Sequence, residues 1–252
     1  MMRAKTILAA MAALALAGCS SYQSYTDTIE VNGQRLFYAA EGKGKPVILI
    51  HGNGGSHNDL ETAQRQLAQA GYMVYALDSR GQGANPPLPE YHYDDMAEDV
   101  LAFIKAKGIE KPAVYGWSDG GNIALSLESR HPGTCSLIVT SGANITAQNA
   151  IDPKVFTDIF GTHENTDSMP PLVKMMYLEP NLTRADMRRI LVPVLVCAGE
   201  HDLILPEHTR LIAKYLPHGE ALFIPGGDHG SYIWHNPKMG EILIDYFKKC
   251  KY

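Results

Sequence analysis

The chain has 252 residues and a formal net charge of −5 at neutral pH. That is room for one large α/β domain with a sizeable core, or for two small ones. The mild acidity, with no basic cluster, low-complexity tract or internal repeat along the sequence, argues against a nucleic-acid partner.

The N-terminus reads as separate from the fold. Met1 to Lys5 carries Arg3 and Lys5, and Thr6 to Ala17 is an apolar run rich in Ala and Leu. A run this short cannot span a bilayer, which takes about 20 apolar residues, and residues 1–18 read as a signal peptide. The run ends in Leu16-Ala17-Gly18-Cys19, which resembles the lipobox of bacterial lipoproteins. The resemblance implies acylation of Cys19 and a membrane anchor made of several acyl chains, where one would be marginal. Ser20 after the cysteine, rather than Asp, implies by the same analogy an outer-membrane location facing the periplasm. Residues 19–27 are then the lipidated cysteine and a polar tether, and 28–252 the folded domain.

From there the elements follow in order. Thr28 to Val31, Asn32-Gly33 and Gln34 to Ala39 predict a β-hairpin on a tight Asn-Gly turn. Pro46 to Ile50 is an unbroken apolar run, as in a strand covered on both faces, and it leads into His51-Gly52-Asn53-Gly54-Gly55-Ser56. A helix carrying Leu60, Ala63 and Leu67 and a strand at Tyr72 to Leu77 come next. After the polar turn Asp78 to Gly83, read as structural, Asp94 is a plausible N-cap for a helix with Met96, Val100, Leu101 and Ile104 on one face.

Lys111 to Tyr115 predicts a buried strand, Asn122 to Arg130 a helix, and between them lies Gly116-Trp117-Ser118-Asp119-Gly120. Glycine, any residue, serine, any residue, glycine is the nucleophile-elbow pattern, and strand-turn-helix is the context it requires. Such a turn holds the serine at strained backbone angles, crowded so closely that only small flanking residues fit.

Ser136 to Thr140 reads as a sixth strand. From 143 to 189 the alternation breaks into two or three short helices, read as a cap, and Val192 to Cys197 restores the strand pattern. A helix near Glu207 to Tyr215, a strand at Ala221 to Pro225 and a helix from Pro237 to Lys249 complete the chain. Alternating strands and helices predict a mostly parallel sheet with helices on both faces. Cys135, Cys197 and Cys250 allow three one-bridge pairings that the sequence cannot choose among. Cys197, inside a strand pattern, reads as a small buried apolar residue.

In such sheets ligands bind beyond the carboxyl ends of the strands. His51-Gly52-Asn53, Ser118, Asp202 and His229 all follow predicted strands, so they converge on one rim. On these residues the chain resembles an α/β-hydrolase, from Thr28 to Lys249, with an eight-stranded sheet and a short helical cap after the sixth strand. The resemblance implies Ser118 as nucleophile, His229 as base and Asp202 as the acid orienting it, in the chain order the fold uses. It also implies the backbone N–H groups of Asn53 and Asp119 as the oxyanion donors.

His51 reads as a brace for the oxyanion loop, and Asp228, adjacent to His229, as pointing elsewhere. No residue spacing suggests a metal, and the chemistry implied needs no cofactor. The elbow is also similar to that of biphenyl-hydrolase-like, valacyclovirase-type proteins, which makes Asp119 a candidate for holding a substrate ammonium. Trp117, Met175 and Met176 are further candidates for the substrate pocket, the methionines as part of an apolar cap. Together these readings suggest a serine hydrolase cleaving a small carboxylic ester. A C–C bond hydrolase, a cofactor-free perhydrolase and a non-catalytic binding lipoprotein remain open.

Overall fold

The computed structural model describes residues 22–147 and 149–252. Residues 1–18, read as a signal peptide, and Cys19, read as the lipidation site, lie outside the described residues.

Eight strands form one sheet in the order β1-β2-β4-β3-β5-β6-β7-β8. They are β1 (Gln23–Val31), β2 (Gln34–Gly42), β3 (Lys45–Ile50), β4 (Tyr72–Leu77), β5 (Ala113–Trp117), β6 (Leu137–Ser141), β7 (Val194–Gly199) and β8 (Gly219–Ile224). Only β2 runs against the rest: it is antiparallel to both β1 and β4, and every pairing from β4 to β8 is parallel. The hairpin forms because Asn32 and Gly33 both take the left-handed conformation, φ 49° and 72°, that a two-residue turn needs. β1 starts at Gln23, so residues 23–27, expected in the tether, belong to the sheet. Their polar side chains face solvent at an edge, where backbone pairing with β2 suffices to hold them.

The alternation of side chains splits each central strand between two cores. Ile48 and Ile50 of β3, Val114 of β5, Ile138 of β6 and Val194 and Val196 of β7 face one side. There they meet α2 (Tyr93–Ala106), α3 (Asp119–Arg130) and α7 (Pro206–Tyr215). Val47 and Leu49, Tyr115, Val139 and Leu195 face the other side, against α1 (Glu61–Gln69) and α8 (Lys238–Lys249). That is why the central strands read as unbroken apolar runs rather than alternating ones.

Two helix starts differ from expectation. α2 begins at Tyr93 with His92 as an N-cap that makes no side-chain bond. Asp94 is already inside the helix, and its carboxylate accepts from the Ser126 hydroxyl at 2.7 Å and from Arg130 at 2.7 Å. Long-range partners on α3 outcompete a local cap. α3 begins at Asp119, three residues early, because the chain enters the helix directly from the turn at Ser118.

Between β6 and β7 the chain forms α4 (Pro153–Phe160), a single turn at Thr166–Ser168, α5 (Pro171–Leu178) and α6 (Arg184–Met187). Met175 and Met187 plug α5 and α6 into the core, whereas α4 buries no residue. Polar bonds fasten the rest. His92 Nδ1 bonds the Glu179 carboxylate at 2.6 Å, and the Tyr93 N–H donates to its other oxygen at 3.0 Å. The Ile145 N–H donates to buried His208 Nε2 at 3.0 Å, and burial lowers that imidazole to a pKa of about 4, keeping it a neutral acceptor.

Cys135, Cys197 and Cys250 are unpaired, and Cys197 is fully buried. Among the described residues no helix is long and apolar enough to cross a membrane.

The backbone packs closely on itself under the elbow. A Cβ on Gly120 would sit 2.1 Å from the Ile50 carbonyl oxygen, and one on Gly116 would sit 2.1 Å from the Gly120 carbonyl oxygen. Both obstacles are backbone and cannot rotate away. Gly120→Ala therefore lowers stability by about 1–3 kcal/mol or prevents folding. Urea unfolding checks this, and an unchanged midpoint contradicts it.

Candidate active site

Ser118 sits where β5 ends and α3 begins, at φ 53° and ψ −118°. Positive φ is costly for a serine and is held here by surrounding bonds. Its N–H donates to the Ser141 carbonyl at 2.7 Å, and its carbonyl accepts from the Gly121 and Asn122 N–H groups at 2.8 and 3.2 Å. The hydroxyl is thereby aimed off the rim, at the N-terminus of α3, where the helix dipole favours negative charge.

Asp202 follows β7, and His229 follows β8. The Ser118 hydroxyl donates to His229 Nε2 at 3.0 Å, and His229 Nδ1–H donates to Asp202 Oδ1 at 2.6 Å. The Asp202 side chain is 1 % exposed and is held by the Ile204 N–H at 3.0 Å and the Gly199 N–H at 3.1 Å. Three residues far apart in sequence thus form one hydrogen-bonded line. Asp228 is not in it. Its Oδ1 accepts from the Gly230 and Ser231 N–H groups at 2.9 and 2.8 Å, folding the loop that presents His229, and those bonds lower its pKa.

Two residues that fix His229 carried no such role in the sequence. The Trp117 indole N–H donates to the His229 carbonyl at 2.8 Å, so the residue beside the nucleophile also clamps the histidine loop. Gly142, at φ 60°, leaves room for the imidazole: a Cβ there would lie 2.6 Å from His229 Cε1. A glycine just after a strand is the only trace of this in the sequence.

The loop from His51 to Ser56 closes the other side. His51 is buried, its Nε2 accepts from the Ser79 N–H at 3.0 Å, and its Nδ1–H donates to the Gly52 carbonyl at 2.6 Å. These partners fix a neutral tautomer, and burial lowers its pKa. Gln82 Oε1 takes the Gly54 N–H at 2.7 Å, and buried Asp78 takes both the N–H and Nδ1–H of His57, at 2.6 and 2.8 Å. The turn from Asp78 to Gly83 is accordingly the buttress of this loop. Among the described residues the N–H groups of Asn53 and Asp119 enter no hydrogen bond and remain available as donors.

Asp119 is buried, and both its oxygens are engaged. Oδ2 accepts from the Asn53 amide at 2.8 Å and Oδ1 from the Tyr93 hydroxyl at 2.7 Å. Tyr93 was invisible to sequence reasoning, since nothing in the chain links it to the elbow.

A cavity of about 310 Å³ opens on Ser118, lined by Asn53, Trp117, Asp119, Ile159, Phe160, Met176 and Trp234 among others. Of the candidate pocket residues, Trp117, Asp119 and Met176 line it. Met175 does not: it is buried in the core under α5, because adjacent residues on a helix point about 100° apart. A second cavity of about 540 Å³ shares Trp117, His229 and Trp234 and reaches to Asp228 and Ser231 at the surface. Among the described residues no cluster of side chains could hold a metal ion.

A family model described as the alpha/beta hydrolase fold matches residues 45–167. The chain is 25% identical to the human "Serine hydrolase BPHL" over 87% of this chain and 85% of that protein. It is 24% identical to "AB hydrolase superfamily protein YisY" of Bacillus subtilis over 84% of this chain and 94% of that one. The solved structure of a thermophilic esterase from Thermogutta terrifontis superposes with a TM-score of 0.72 at 17% identity, covering 92% of this chain and 99% of that one. At that identity the likeness speaks for the fold.

Burial raises the Asp119 carboxyl from an ordinary 3.8 to about 6, against the opposing pull of the Tyr93 and Asn53 bonds. A carboxyl with a raised native pKa keeps its proton while the unfolded chain loses one, so stability falls as pH rises from about 4 to about 6 and is level above. Asp119→Asn removes this slope. Relative to the variant, the native chain loses on the order of 2–3 kcal/mol across that window. Denaturation at several pH values reads the difference, and parallel curves contradict it.

Proposed function

We propose that this chain, an α/β-hydrolase by its fold and its sequence matches, works as a serine hydrolase that cleaves a small carboxylic ester through an acyl-enzyme. The observation that carries the reading is the hydrogen-bonded line from Ser118 through His229 to Asp202. A serine hydroxyl is a weak nucleophile until a base takes its proton, and His229 Nε2 accepts from that hydroxyl. As Ser118 Oγ attacks the carbonyl carbon, the proton passes to His229. Asp202 then faces an imidazolium and stabilises it without taking the proton.

The carbonyl oxygen becomes an oxyanion for which the N–H groups of Asn53 and Asp119 are the donors. Each such donor is typically worth about 10²- to 10³-fold in rate. His229 next gives the proton to the departing alcohol. Water repeats the sequence on the acyl-enzyme and releases the acid.

The cavity size supports a small substrate, since about 310 Å³ is at the low end for ligand pockets. Ile159, Phe160 and Met176 on the cap offer it apolar contact. Asp119 on the cavity wall has only neutral donors as partners, Tyr93 and Asn53, and is the group that would favour an ester carrying an ammonium. The enzyme is held at a membrane by lipid on Cys19, a reading supported by the sequence Leu16-Ala17-Gly18-Cys19 and by a fold that starts only four residues later, at Gln23.

Ser118→Ala lowers kcat for a short-chain ester by about 10⁶-fold with little effect on folding. Turnover within ten-fold of the native enzyme contradicts the assignment. Cys19→Ala, expressed with its signal peptide, moves the protein from the membrane to the soluble fraction on cell fractionation. Unchanged membrane association refutes the anchor.

A further inference from the structure

We propose that the rim of the sheet opposite Ser118 docks on an anionic phospholipid surface, so that the mouth of the active site points away from the bilayer. The orientation rests on the lipid-anchor reading given above; the docking does not.

A cavity of about 730 Å³, more than twice the volume of the one at Ser118, lies at this opposite rim. Its floor is apolar, with Leu101, Ile104, Ile109 and Leu137. Around it stand Lys45 at the start of β3, Lys105 near the end of α2, Lys111 before β5 and Lys251 after α8. All four are exposed, and among the described residues none is in an ion pair. Lys45 lies 5.1 Å over the Tyr252 ring, which keeps its charge at the lip of the groove.

Glu110 is the one acidic side chain in the lining, so four ammonium groups face one carboxylate in a chain whose net charge is −5. A carboxylate at Tyr252 would still leave the groove positive. Lys111 and Lys251 both take left-handed backbone angles, φ 44° and 57°, where a glycine or asparagine would cost less. A groove that is apolar at its floor and cationic at its lip matches phospholipid chemistry: acyl carbon below, phosphate at the edge. Lysines near an anionic surface contribute roughly five-fold each to binding.

The strand register gives the second observation. Gln23 pairs with Gly42, Gly42 with Met73, and Met73 with Pro46, next to Lys45. The N-terminal segment therefore leaves the sheet on the same rim as the groove, three strand spacings or about 14 Å along it. From Gln23 back to Cys19 is four residues, a reach of at most about 14 Å. Ser118 lies beyond the far end of β5, about 16 Å away along the strand from Ala113 at its start. A lipid on Cys19 thus brings the basic groove to the headgroups and leaves the Ser118 rim facing solution. The esters reaching that site come from the aqueous side.

The test uses the full chain with Cys19→Ala, so lipidation has no part in it and a failed anchor reading leaves the result intact. The protein is co-sedimented with vesicles of phosphatidylcholine alone and with vesicles of two parts phosphatidylcholine to one part phosphatidylglycerol. It is compared with the same chain carrying Lys45→Glu, Lys105→Glu, Lys111→Glu and Lys251→Glu, and with Lys105→Glu and Lys111→Glu alone in case the fourfold variant does not fold. The expected result is at least about ten-fold stronger partition onto the phosphatidylglycerol vesicles. That preference weakens with added salt, is reduced in the double variant and is abolished in the fourfold one, with ester turnover unchanged in both. Equal partition onto both vesicles overturns the proposal. So does a preference that survives the reversals, which would assign it to Arg3 and Lys5 at the N-terminus instead.

Discussion

The backbone contact beneath Ser118 is the constraint on which the site depends. Where β5 turns into α3, the chain passes so close to itself and to the end of β3 that positions 116 and 120 have no room for a side chain. This crowding keeps Ser118 at a backbone angle that serine otherwise avoids. The geometry aims one hydroxyl off the rim, leaves the Asp119 N–H without a hydrogen bond among the described residues, and brings the loop after β3 against the elbow. A Cβ on Gly52 would lie only 3.3 Å from that of Ser118.

Around the elbow runs a set of buried and partly buried polar ties. His51, Gln82 and Asp78 hold the loop after β3; Trp117 and Asp228 hold the loop after β8; Asp119 joins the elbow to Asn53 on one side and to Tyr93 on the other. Five of these seven ties engage a backbone N–H or carbonyl, so each of those satisfies a main-chain group as well as positioning the loop. The cost is concentrated at Asp119, a fully buried carboxylate met only by neutral donors. That such an unfavourable group stands beside the proposed nucleophile fits the general pattern that perturbed ionisations gather at functional sites.

The sequence disclosed those parts of the fold that follow from local periodicity. The unbroken run from Pro46 to Ile50, the Asn-Gly turn and the glycines flanking Ser118 each carry their own physical reason. Asp202 and His229 could be singled out because each follows a strand, and the amino-acid order then matched a known fold. The sequence did not disclose what depends on contacts across the fold. Asp94 looked like a cap because its long-range partners Ser126 and Arg130 are out of sight on another helix. Residues 23–27 looked like a tether because edge-strand pairing needs no apolar pattern. Met175 and Met176 looked equivalent, and only the rotation of α5 separates core from pocket. Tyr93 gave no signal, Gly142 only that of a glycine just after a strand, and the four lysines of the opposite rim come from separate places in the chain, so no basic cluster was visible along it.

The central claim is that Ser118 is a nucleophile made reactive by His229. Labelling with a fluorophosphonate, followed by peptide mass spectrometry, tests it most directly because the reagent reports nucleophilicity without requiring the natural substrate. The account predicts a single adduct on the peptide carrying Ser118, formed at least about 10³-fold more slowly in His229→Ala. An unmodified Ser118, or labelling at the same rate without the imidazole, would contradict it.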